Sequence, residues 1–116
     1  MNANSIQYAF DQHPEPGHSI QLFPGIRWLR MPLPFMLGHI NLWLLEDGDS
    51  WTVVDTGIHT QTTRDCWDRV IAEQLDDKPV GRVLVTHLHP DHVGCAGWLT
   101  ERFAAPLWMS REEYLL

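Results

Sequence analysis

The sequence is poor in cations: eight Lys and Arg stand against fifteen Asp and Glu, a formal charge of −7. Nucleic acids and anionic membranes are bound through clustered Lys and Arg, and no such run exists, so neither is an expected partner. Cysteine is scarce too. Cys66 and Cys95 are too few for a disulfide framework, and both read as small apolar residues on helical faces, which fits a reducing compartment. No apolar run approaches the ~20 residues that span a bilayer, and the opening MNANSIQYAF has neither a positive n-region nor an apolar h-region. The expected location is cytoplasmic. Repeats and low-complexity tracts are missing as well. Aromatic area, by contrast, is plentiful, since six tryptophans in 116 residues require a thick core or a surface that a partner covers. With 44% hydrophobic and 20% charged residues, the composition is that of one small globular domain.

Residues 1–19, ending in HPEPGHS, predict an irregular lead-in, and 20–116 the domain proper. The stretch IQLFPGIRWLRM (20–31), broken at Pro24-Gly25, predicts a hairpin or two short edge strands, and MPLPFMLG (31–38) a loop. INLWLL (40–45), the turn EDGDS and WTVVDTG from Trp51 predict a second hairpin. Its apolar residues scarcely alternate, so both faces are expected to be covered. In TQTTRDCWDRVIAEQLDD (60–77), Trp67, Val70, Ile71 and Leu75 fall at helical spacing, with Thr62 or Thr63 as N-cap and Asp65 in the first turn. VGRVLVTH (80–87) predicts a buried strand, residues 93–104 a helix with Ala96, Leu99 and Phe103 on one stripe, and PLWM a last short strand. This order predicts an α/β (α+β) fold, a mixed sheet layered with helices. Ser110-Arg111-Glu112-Glu113 reads as a capping box, in which serine hydroxyl and glutamate carboxylate satisfy each other's backbone donors. The chain then stops at Tyr114-Leu115-Leu116, which predicts a truncated domain.

Chemistry concentrates in THLHPDHVG, Thr86 to Gly94, where three histidines and an aspartate crowd into six positions. On an extended segment residues two apart point the same way, so His87 and His89 can offer imidazole nitrogens to one point in space. Pro90 turns the chain, which displaces Asp91 and His92 to serve a second ion or to orient the first site. Gathering so many polar groups without a shared purpose is costly. Imidazole with carboxylate and no thiolate suits zinc first, with iron or manganese as alternatives, in a site that activates water. Gly94 lets the backbone bend closely into the following helix.

With His-x-His-x-Asp-His followed by Gly94, the strand RVLVT before it and VVDTG upstream, the chain from about Ile20 onward resembles the metallo-β-lactamase-fold hydrolases. The resemblance implies an αββα sandwich of two similar halves, of which this chain would be half, with its mixed sheet and flanking helices. It implies that His87 and His89 bind one metal and that Asp91 and His92 bind a second, two ions in the complete site. Asp91 would also orient the nucleophilic water. Asp55 matches the upstream aspartate, which supports the site without ligating; the bland reading, a turn residue before Thr56-Gly57, stands beside it. Thr86 and Gly94 are read as supporting residues too. Cys95 stands where many members have a second glycine, and no counterpart exists for the later histidine, bridging aspartate and final histidine. His13, His18, His39 and His59 all lie upstream, and His39 and His59 read as loop residues. The activity implied is hydrolysis of a small ester, thioester or lactone by a metal-activated water, as in glyoxalase II or lactonases. The alternatives are an incomplete fragment that folds or self-associates through exposed apolar faces without turnover, and a di-iron redox or phosphodiesterase member.

Overall fold

The computed structural model describes residues 12–34 and 38–115. Residues 1–11 of the expected lead-in, 35–37 of the expected loop and Leu116 lie outside that range. Six strands form one mixed sheet in sequence order: β1 (Ser19–Phe23), β2 (Ile26–Pro32), β3 (His39–Asp47), β4 (Ser50–Val54), β5 (Val80–Val85) and β6 (Leu107–Met109). The first four pair antiparallel, and β4, β5 and β6 run parallel. Short turns explain the first part. Gly25 and Gly48 take positive φ (81° and 61°) where the two hairpins reverse, a conformation open to glycine at little cost. The parallel part needs crossovers, supplied by α1 (Gln61–Glu73) between β4 and β5 and by α2 (Pro90–Val93) with α3 (Ala96–Phe103) between β5 and β6; α4 (Arg111–Leu115) follows.

Alternation along the strands sends Leu29, Met31, Leu42, Leu44, Val53, Val83 and Val85 to one face, where they are buried against Trp67 and Val70 of α1 and Ala96 and Leu99 of α3. The opposite face carries no helix among the described residues. Register aligns Trp28, Trp43, Val54, Leu84 and Trp108 across five neighbouring strands. All of these are partly exposed, Trp108 to 53%. Arg30 and Arg82 stack over the tryptophans at the two ends of the row. The expectation that the β3–β4 hairpin is covered on both faces is therefore corrected: INLWLL is apolar on both sides, yet helices cover only one.

Two helix boundaries also differ from expectation. Thr60, not Thr62 or Thr63, caps α1: it is the residue still in extended conformation, and its Oγ1 accepts from the Thr63 N–H at 3.2 Å. Asp65 accordingly falls beyond the first turn. The helix expected over 93–104 is two pieces. It breaks at Gly94-Cys95 because the Cys95 N–H is drawn away to Thr56 Oγ1 (3.0 Å) and Gly57 O (3.2 Å).

Buried Trp67 bridges α1 to the loop after β4, its Nε1–H donating to the Thr56 carbonyl at 2.8 Å. Trp67→Phe keeps most of the apolar volume but leaves that carbonyl unpaired. The expected loss is about 1–3 kcal/mol, seen as a lower midpoint in thermal unfolding; an unchanged midpoint would show that water replaces the bond.

Candidate metal centre

The histidine turn lies beyond the C-terminal ends of parallel strands β4 and β5, the edge where open α/β sheets place ligands. Strand β4 ends at Val54, and the next residue, Asp55, is 3% exposed and holds φ at +65°, uncommon for a residue with a side chain. Its backbone N–H donates to Leu84 O at 2.8 Å. Its carboxylate takes three donors from the neighbouring strand end: the Thr86 N–H to Oδ1 at 2.8 Å, the Thr86 hydroxyl to Oδ2 at 2.7 Å, and His92 Nδ1 to Oδ2 at 2.8 Å.

These bonds fix proton positions. An ionised carboxylate only accepts, so His92 carries its proton on Nδ1. The single Thr86 hydroxyl proton is committed to Asp55, so the 2.8 Å contact between Thr86 Oγ1 and His87 Nδ1 has the imidazole donating. In the neutral ring that tautomer leaves Nε2 free, the form a metal ligand must have.

Thr56 and Gly57 do more than complete the bend after Asp55. The Thr56 N–H and hydroxyl both donate to the His92 carbonyl at 2.8 Å, and Thr56 Oγ1 accepts from Cys95. Sequence reasoning missed this clamp, because a threonine in a turn gives no sign of a partner 36 residues away. Gly94 has ordinary helical dihedrals, so the freedom expected of it is not what the position uses. A Cβ there would sit 2.7 Å from the His59 nitrogen and 2.8 Å from the Gly57 oxygen, so glycine is required by close approach of the two loops.

The imidazoles of His87 and His92 have centroids 4.6 Å apart, and those of His87 and His89 lie 6.0 Å apart, near parallel. His92 Nε2 faces Asp91 Oδ2 across 3.8 Å. The structure thus brings His87, His89, Asp91 and His92 into one neighbourhood with Asp55 and Thr86 beneath. Among the described residues no three His, Cys, Asp or Glu side chains converge as an ion's complete cage. His39 opens β3 and is no loop residue, whereas His59 sits at an exposed bend. Cys95 is buried at the break between α2 and α3 and not on a helical face; its Sγ contacts the Ile58 carbonyl, and burial, against the pull of Arg64, pushes the thiol up to about 11. A neutral thiol so placed is no ligand.

Comparison with known proteins identifies the family of the fold. The family model described as the metallo-beta-lactamase superfamily matches residues 36–116. "Probable metallo-hydrolase YybB" of Bacillus subtilis is 34% identical over 74 residues, 64% of this chain and 31% of the relative. The crystal structure of a beta-lactamase domain protein from Burkholderia ambifaria superposes with TM-score 0.83 at 48% identity, covering 90% of this chain and 33% of that one. A metallo-beta-lactamase family protein from Thermus thermophilus gives TM-score 0.71 at 33% identity, covering 81% and 31%. The chain spans about a third of the length of these relatives.

The proton assignment can be read directly. Nitrogen-15 NMR of the imidazoles should show His92 and His87 as Nδ1–H tautomers near pH 8. In Asp55→Asn, the His92 signal should change while the fold persists; Nε2–H signals in the unaltered chain would refute the arrangement.

Proposed function

Because this chain belongs to the metallo-beta-lactamase superfamily, we propose that it forms the first part of the active site of a metal-dependent hydrolase acting on a small ester, thioester or lactone. The observation that carries this reading is that Thr86 and Asp55 engage the Nδ1 atoms of His87 and His92, which leaves the Nε2 of each neutral ring available to a metal. The donor set fits a borderline cation: imidazole and carboxylate, with no available thiolate. The 3.8 Å between His92 Nε2 and Asp91 Oδ2 is a spacing that two ligands, each about 2.0–2.2 Å from a common ion, can span. His87 and His89 would hold one metal ion and Asp91 and His92 a second, zinc before iron or manganese. When bound, they would supply Lewis acidity that brings the ionisation of water toward neutral pH.

The chain's own groups have separate tasks in this scheme. Asp55 and Thr86 keep two imidazoles in the ligating tautomer and orientation. Asp91, half-buried at the rim, accepts a hydrogen bond from the attacking water and aligns it. An open cavity of about 310 Å³, lined by Leu84, Val85, Thr86, Trp108, Met109 and Ser110, adjoins His87 through Thr86. Its apolar wall would take the acyl portion of the substrate, which favours an acyl ester or thioester over a phosphodiester. Catalytic zinc ordinarily has three protein ligands, so the remaining ligands would come from outside these 116 residues.

A second reading draws on the helix-free face of the sheet. The row from Trp28 to Trp108 offers a second copy of this chain an apolar surface, and self-association there would give a stable assembly without turnover. Light scattering separates the two: a concentration-dependent dimer with no metal supports the second reading, and a metal-loaded monomer the first.

Metal titration of the purified chain with a chelator competitor tests the first reading. Asp55→Asn should weaken metal binding about 10–100-fold, the range for groups that orient a ligand, and His87→Ala should weaken it further. Equal affinity in the His87→Ala chain would remove that residue from the ligand set.

A further inference from the structure

The capping box at Ser110 is only half formed, and its unused half points at the histidine turn. Ser110 Oγ accepts from the Glu113 N–H at 3.2 Å, and Ser110 O accepts from the Tyr114 N–H at 3.0 Å, which starts α4 as expected. The Glu113 carboxylate, which in a complete box would turn back to the serine, instead crosses 25 positions in sequence: its Oε2 accepts from the Leu88 N–H at 3.0 Å.

Topology explains the meeting. Parallel pairing sets Val85 beside Met109, so Ser110 leaves β6 alongside Thr86 leaving β5, and one helical turn then carries Glu113 next to Leu88. Strand β5 has already ended, so the Leu88 N–H has no place in the sheet ladder and needs another acceptor. A carboxylate is a strong one. Leu88 sits between His87 and His89, so the peptide that separates the two imidazoles is anchored by a helix from the far end of the chain.

We propose that Glu113 is a positioning residue for the metal centre: through Leu88 it tethers the His87–His89 segment to α4 and thereby sets the affinity of that segment for a divalent cation. This rests on the metal-binding reading above. His92 is held from below by Asp55, and His87 by Thr86, whereas among the described residues the His89 ring makes no hydrogen bond, so its place depends on the backbone that Glu113 holds.

Two measurements on the full chain test the proposal. Amide exchange without metal reads the tether: Leu88 should be protected in the unaltered chain and in Glu113→Gln, which keeps an acceptor oxygen, and should lose protection in Glu113→Ala. The Thr86 amide, held by Asp55, should be unmoved in all three and reports that the fold is intact. Zn²⁺ affinity by chelator competition reads the coupling: Glu113→Ala should raise Kd about 10-fold, the lower end for a group acting through a ligand's surroundings, and Glu113→Gln should restore it. Equal Leu88 exchange in all three chains overturns the tether. Lost protection with unchanged Kd overturns the coupling, as does Glu113→Gln behaving like Glu113→Ala, which would leave charge alone as the cause. An unaltered chain with no Zn²⁺ affinity sinks the metal reading and the coupling with it, while Leu88 exchange still decides the tether.

Discussion

The site depends on one buried carboxylate. Asp55 is 3% exposed and adopts a left-handed backbone at the end of a strand. The conformation costs an ordinary residue roughly 1–2 kcal/mol, and burying an ionised carboxylate costs several more unless its oxygens are paired. Three donors, at about 1.5–3 kcal/mol for each hydrogen bond to a charged group, offset these penalties only if all are in place. Two come from Thr86 and one from His92, so the loop after β4 and the turn after β5 cannot order independently. Thr56 reinforces the pairing from the other side by gripping the His92 carbonyl. Gly94 permits it by leaving the gap that a side chain would fill.

That dependence organises the fold around the parallel strands. Antiparallel β1 to β3 widen the sheet and supply Leu29, Met31, Leu42 and Leu44 to the core. The crossover helices have a double role. Helix α1 buries Trp67 and fastens the Asp55 loop through its indole N–H; the break between α2 and α3 gives up one helical hydrogen bond so that Cys95 can join the same loop. A continuous helix here would satisfy propensity better and assemble the site worse.

Much of this is legible in the residues. Helical spacing of Trp67 and Val70 and the β-branched run before Thr86 identify the elements, and crowded imidazoles beside a carboxylate mark where the candidate site lies. Three things are not legible, each because the deciding partner is distant in sequence or the choice is degenerate within it. Thr60 rather than Thr62 or Thr63 caps α1, since three threonines in four positions offer equivalent hydroxyls and only the backbone path distinguishes them. The helix break at Cys95 depends on acceptors in the 56–57 loop, and helical periodicity runs straight across it. The capping box is plain in the sequence, but nothing in Ser-Arg-Glu-Glu tells whether the glutamate turns back to its own helix or outward to Leu88. Coverage of the sheet is misleading for a related reason: strands apolar on both sides declare that something covers them, not that the described helices do.

The three imidazoles are therefore held to unequal degrees, and the inequality has a physical origin. His92 is gripped at both ends, its Nδ1 by a buried carboxylate and its carbonyl by Thr56, and its side chain is only 21% exposed. His87 is exposed and reaches the same carboxylate at one remove, through the Thr86 hydroxyl. His89 contributes a ring that stacks near His87, on a backbone fixed from above by α4. Rigidity thus falls with distance from Asp55, because each further link replaces a buried, charge-assisted bond by a more solvated one that stabilises less. A cation arriving at such a centre would meet His92 already in position and would have to order His89 itself, so the entropy of ordering concentrates on the residue farthest from the core.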